Sequence, residues 1–137
     1  MPDPWEYILA LDEELLQGGV VVSEWSACLV RDADTCFAAG AYVAAVITGM
    51  AAVEAHLRYE RGDGHSAFHL IDDAEHLTLQ EKSELPALRR YRNRWVHVRE
   101  PWDDEALLDC PPKEESMDMA KRALRAMRVV LYALPAV

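Results

Sequence analysis

Residues 89–100 read RRYRNRWVHVRE and bring Arg92, Asn93 and His97 within six consecutive positions, with Arg89, Arg90, Arg94 and Arg99 around them. Histidine is the side chain whose ordinary pKa lets it take up or give up a proton near neutrality. Arginine is a fixed cation that grips phosphate oxygens with paired hydrogen bonds. Together they suit cleavage of a phosphodiester without metal, histidine acting as base or acid for a ribose hydroxyl while arginine stabilises charge on the phosphate. On a continuous helix Asn93 lies one turn from His97 and can touch it. Arg92 lies about 140° around and about 7.5 Å along the axis from His97. A site using both Arg92 and His97 therefore needs either a helix end between them or a second chain that supplies the missing partner across a two-fold axis.

The basic residues are concentrated: residues 89–99 carry +5, whereas the whole chain carries -10. That acidic average speaks against a general nucleic-acid coat protein, because non-specific binding comes from neutralising phosphates with Lys and Arg. A local cationic site still attracts an anion that the rest of the surface repels. Arg90, Arg94 and Arg99 are candidates for RNA backbone contacts. Trp95 is a candidate to stack on a base, although a helical Trp more often packs in a core or interface. Lys121, Arg122, Arg125 and Arg128 suggest a second basic stripe, either a continuation of an RNA path or an exposed face.

The elements that must position these residues are helical. Hydrophobic residues make up 51% and charged ones 28% of 137 residues, which fits one folded domain rather than disorder or two cores. Within an N-terminal unit of residues 1–19, residues 4–17 read as a short helix with Pro4 in its first turn and Gly18-Gly19 as its stop. Ser23 reads as the cap of a proline-free run to Gly64, either two helices or one bent near Asp32–Thr35. Its small residues Ala38, Ala41, Ala45, Gly49 and Ala52 allow another helix to approach closely. Residues 65–77 read as a further helix, and Thr78 with Glu81 as a capping box opening the basic helix, which Pro86 is expected to interrupt early. Residues 100–115 read as a surface loop, and Ser116 as the cap of a last helix carrying Ala120, Ala123, Leu124, Met127, Leu131 and Leu134 on its apolar face. No segment shows sustained strand alternation. The expectation is an all-α, antiparallel bundle of four to five helices.

LRRYRNRWVH, preceded by a helix ending AAVEAHLRYE and a segment with FHLIDDAE, resembles the HEPN superfamily of helical domains. That superfamily carries Arg-x4-6-His, commonly with a polar residue, often Asn, after the arginine; Arg92, Asn93 and His97 match it. The likeness covers residues 23–134 in helix order. It implies a metal-independent endoribonuclease, toxin-like or defence-associated, cutting RNA in a cleft between two paired domains. A homodimer and an antitoxin or other partner protein follow from the same resemblance, with no cofactor. Glu54, in a family-like position, becomes a candidate buried acid near the cleft. In one toxin branch the histidine is followed two positions on by a tyrosine that the antitoxin nucleotidylates; Arg99 stands there, so that control is not implied here. The family also contains interaction and ligand-binding modules, which makes a non-catalytic helical interaction or nucleotide-binding module the alternative.

His65, His69, Asp72, Asp73 and His76 have near-helical spacing that could chelate a metal, but they fall off the apolar stripe and are expected to face water, so no metal site is assigned. The cysteines Cys28, Cys36 and Cys110 form no CxxC pair and suit reduced thiols. The N-terminus lacks the basic start of a signal peptide, and the uncharged run 37–53 is short and rich in Ala and Gly. A cytoplasmic protein with no membrane span is expected.

Overall fold

The computed structural model describes residues 3–16, 22–61, 77–97 and 113–132. Five helices make up nearly all of them: α1 (Pro4–Leu15), α2 (Glu24–Ala38), α3 (Tyr42–Arg61), α4 (Leu79–Val96) and α5 (Lys113–Tyr132). Among the described residues there is no strand, and the described part of the chain is all-α. Of the expected helix at residues 65–77 all but Leu77 lies outside the described residues, as does the expected loop 100–115 up to residue 112; residues 113–115 are helical rather than loop.

Each helix start has a local cause. Asp3 caps α1, its Oδ1 accepting the Trp5 N–H at 2.9 Å, and Pro4 occupies a position where no N–H is needed. Ser23 caps α2 by accepting the Ser26 N–H at 3.1 Å. Thr78 and Glu81 form the reciprocal capping box of α4, with both bonds at 3.1 Å.

The long proline-free run is two helices, the first of the two alternatives, separated at Ala39–Gly40 with no break at Asp32–Thr35. Gly40 has φ +81°, its N–H donates to Phe37 C=O at 3.0 Å, and the Ala41 N–H donates to Cys36 C=O at 2.8 Å. This reciprocal pair closes the helix and uses a left-handed residue that glycine adopts without steric cost. Asp32–Thr35 continues as helix, with Asp34 held from α5 and the Thr35 hydroxyl donating to Arg31 C=O at 2.8 Å. Gly40→Ala is expected to cost about 1 kcal/mol, seen as a lower urea midpoint with unchanged slope.

Two further expectations are corrected. Pro86 does not interrupt α4; the helix runs unbroken through it, anchored by the capping box and by Leu85 and Leu88, which are 1% and 0% exposed. Ser116 is not a cap. The last helix begins at Lys113, and Ser116 lies buried in its first turn, donating to Lys113 C=O at 3.1 Å.

The core is one cluster to which every helix contributes: Ile8 and Leu11, Ala33 and Phe37, Val46, Met50, Val53 and Leu57, Leu85 and Leu88, and Leu124, Met127 and Leu131. Central α3 packs on α2, α5 and α4, and α1 lies across α5 and α2. Small residues work at Ala45, Gly49 and Ala52, all buried; a Cβ on Gly49 would sit 3.7 Å from the Cβ of Ala123 on α5. Ala41, of the same small-residue pattern, is instead exposed in the turn. No described helix is long and apolar enough to cross a membrane.

Ion pairs tie the helices together, and they use the residues that the sequence suggested as a second basic stripe. Arg128 is 1% exposed; its Nε meets Asp12 Oδ1 at 2.8 Å and its Nη2 meets Asp34 Oδ2 at 2.7 Å, while Tyr132 donates to the same Asp12 oxygen at 3.1 Å. Arg122 grips Glu84 with two bonds of 2.6 and 3.0 Å, and Arg125 meets Glu14 at 2.6 Å. The three arginines therefore join α5 to its neighbours and do not form a free cationic track. Hydrogen bonding from Arg122 holds the Glu84 carboxyl below its ordinary value of 4.5. A depressed carboxylate stabilises the fold above its unfolded pKa, and this part is lost as pH falls through the folded one. Arg122→Gln should flatten that acid limb of the urea midpoint against pH.

Candidate functional site

The candidate site forms where α3 meets the C-terminal half of α4. Arg92 leaves α4 towards α3 and donates from Nη1 to Glu54 Oε1 at 2.7 Å; both side chains are 16% exposed. Its Nε and Nη2 reach the side-chain oxygen of Asn93 at 3.3 and 3.1 Å. Arg92 is thereby fixed from two sides, with one hydrogen on each terminal nitrogen left for a further acceptor. Glu54, a candidate on sequence grounds, is brought directly to Arg92.

Arg58 completes the group, and the sequence reading did not single it out. One turn beyond Glu54 on α3, its Nη1 lies 3.7 Å from Glu54 Oε2, and its side chain is 42% exposed. The two oxygens of one carboxylate thus face two different arginines, leaving a local charge of +1. The available signal was the i,i+4 spacing of Glu54 and Arg58, which marks an ion pair on one helix face.

The helix ends between Arg92 and His97. Val96 is the last helical residue, and His97 is the C-cap, with φ −123° and ψ 99° and its N–H bonded to Asn93 C=O at 3.0 Å. A helix end, one of the two conditions for a site using both residues, thus falls between Arg92 and His97. Of the two histidines in the described residues, His56 is buried at 3% exposure and His97 is exposed. The side-chain oxygen of Asn93 accepts from Arg92, and the bond between Asn93 and His97 runs through the backbone.

The other candidates separate. Arg90 and Arg94 are exposed; Arg94 lies 3.8 Å from Glu115 and 5.9 Å above the Tyr91 ring. Trp95 packs against the core with its ring edge-on to Tyr91 at 6.3 Å. Arg99 lies outside the described residues, as do His65, His69, Asp72, Asp73 and His76. Among the described residues no group of three or more His, Cys, Asp or Glu could hold a metal. A cavity of ≈ 690 Å³ lined by Leu15, Glu84, Leu85, Arg122 and Val129 opens at the opposite, N-terminal end of α4 from His97.

Comparison with family models, curated proteins and solved structures finds no match to this chain.

Proposed function

We propose that this chain is a HEPN-like, metal-independent endoribonuclease, toxin-like or defence-associated. It would act as a homodimer that takes RNA into a cleft lined by Arg92 and His97 of both copies. The observation that carries this reading is the end of α4 at Val96, which leaves His97 exposed just past an arginine braced by Glu54 and Asn93. In the reaction His97 takes the proton of a ribose 2′-hydroxyl, whose oxygen attacks the neighbouring phosphorus. The bond to the 5′-oxygen breaks, and that oxygen is protonated by the second copy's imidazolium. The products are a 2′,3′-cyclic phosphate and a free 5′-hydroxyl. Arg92 holds the phosphate oxygens while charge builds on them.

A second reading is a non-catalytic module that binds a nucleotide or a partner protein such as an antitoxin. Glu54 favours it, because its carboxylate already neutralises the charge of Arg92, and the net charge of -10 makes a polyanion approach against the mean field. The separating experiment is incubation of defined tRNA and mRNA with the protein in EDTA, with product ends mapped and the oligomeric state measured by sedimentation. Cleavage that leaves cyclic phosphates, by a dimer, supports the nuclease. Folded protein that cuts none of them but binds a mononucleotide replaces it with the module.

A further inference from the structure

The three groups at the α3–α4 contact suggest more than a brace. Glu54 presents Oε1 to Arg92 at 2.7 Å and Oε2 to Arg58 at 3.7 Å, so a single planar anion spans two arginines carried by two helices. A carboxylate in that position resembles a phosphate in charge and in its paired oxygens, and two guanidinium groups around one anion are a common means of holding phosphate. We infer that Arg58 and Arg92 form a two-armed phosphate site in which Glu54 is the resident internal competitor, displaced or bypassed when a phosphate group enters.

Three observations fit this arrangement. Arg92 retains two uncommitted donors after its bonds to Glu54 and Asn93, so it can add an acceptor without giving up its brace. Arg58 is the looser arm: its distance to Glu54 exceeds a hydrogen bond, and at 42% exposure it can meet a ligand from solvent. The combined charge of +1 attracts an anion but is half the strength that the two arginines alone would give, so Glu54 sets a ceiling on affinity. A site of this kind selects against free phosphate at low concentration and favours a ligand held by additional contacts, as an RNA strand would be.

The inference rests on the proposed reading for its choice of ligand, and its test is binding, measured apart from cleavage. Glu54→Gln removes the charge, keeps one oxygen that can accept from Arg92 and replaces the other by an NH2 group. Arg58→Gln removes the second arm and leaves Arg92 untouched. The probes are inorganic phosphate and a 2′-O-methylated RNA tetranucleotide, which presents the same phosphate chemistry but has no 2′-hydroxyl to react. Each is titrated against the whole protein while the arginine Nε–H resonances are followed by NMR at fixed salt. The expected result is that Glu54→Gln tightens binding by about three- to tenfold and Arg58→Gln weakens it by a similar factor. The tetranucleotide binding more tightly than phosphate assigns the site to a polynucleotide; the reverse order assigns it to a free phosphate or nucleotide end. Unchanged or weaker binding in folded Glu54→Gln, or unchanged binding in Arg58→Gln, overturns the inference. Because the tetranucleotide cannot be cut, a nuclease that fails to cleave leaves this result standing. A nuclease that cleaves without these affinity changes removes the site alone.

Discussion

His97→Ala is expected to lower the rate of RNA cleavage in EDTA by about 10²- to 10⁴-fold, the range for loss of a positioned general acid or base. Arg92→Ala is expected to cost about 10²- to 10³-fold, as for removal of one preorganised donor to transition-state charge. The two losses should differ in kind. His97→Ala removes the proton carrier from an exposed cap and should leave RNA binding and thermal stability close to those of the parent chain. Arg92→Ala also strips Glu54 of its 2.7 Å partner, so binding and stability fall with it. Lysine at position 92 should restore part of the affinity but little of the rate, because an ammonium lacks the planar fork that meets Glu54 and Asn93 together. The measurements are single-turnover cleavage and thermal melting on the same preparations. Full activity in folded His97→Ala would remove this histidine from the chemistry.

The largest effect on stability is expected at Arg128. Arg128→Met removes the charge between Asp12 and Asp34 and leaves two carboxylates at 33% and 12% exposure without their cation. Breaking a buried pair in this way costs about 3 kcal/mol or more, which for a domain of this size lowers the melting temperature by roughly 10 °C. The pH dependence has a definite sign. Burial raises the Asp34 pKa above its ordinary 3.8 even with Arg128 bonded to it, and its Oδ1 is buried without a hydrogen-bond partner among the described residues. A raised folded pKa means that the native state holds the proton more readily than the unfolded chain. This contribution is therefore fully present below pH 3.8 and is lost as pH rises through the folded value. Asp34→Asn should remove that slope from the urea midpoint. At the alkaline end Tyr132, pushed up to about 12 chiefly by burial, should make stability fall as pH rises above 10.

Much of the helical frame was legible because it depends on local chemistry. Pro4 sits in the first turn of its helix, Ser23 and Thr78 with Glu81 cap theirs, and Ala120, Ala123, Leu124, Met127 and Leu131 of the last helix are buried, Leu134 lying outside the described residues. The misplaced boundaries have local explanations. Asp32–Thr35 has the composition of a bend, yet Asp34 is held across the bundle by a residue 94 positions later, a contact with no trace in its neighbourhood. Gly40, a lone glycine among alanines, was the better signal. Pro86 reads as a breaker because its missing N–H is a local cost; that cost is outweighed by burial on either side. At the candidate site, the spacing of Arg92 and His97 asked for either a helix end or a second chain, and α4 ends at Val96, between the two residues. The pairing of Glu54 with Arg92 could not follow from spacing, since it joins two helices 38 positions apart. The same holds for Arg122, Arg125 and Arg128, whose basic stripe is indistinguishable in sequence from an exposed one until the acids opposite them are known.

The Arg128 clamp also sets an order of assembly. It joins positions 116 and 94 residues apart, whereas α2 and α3 meet across a three-residue turn. Loop-closure entropy penalises the long connections, so the α2–α3 hairpin is expected to form early and the seating of α1 against α5 late. Neither outer helix can leave without orphaning charges on the other. Slow amide hydrogen exchange should therefore report α1 and the C-terminal half of α5 opening together, as one cooperative unit separate from the hairpin.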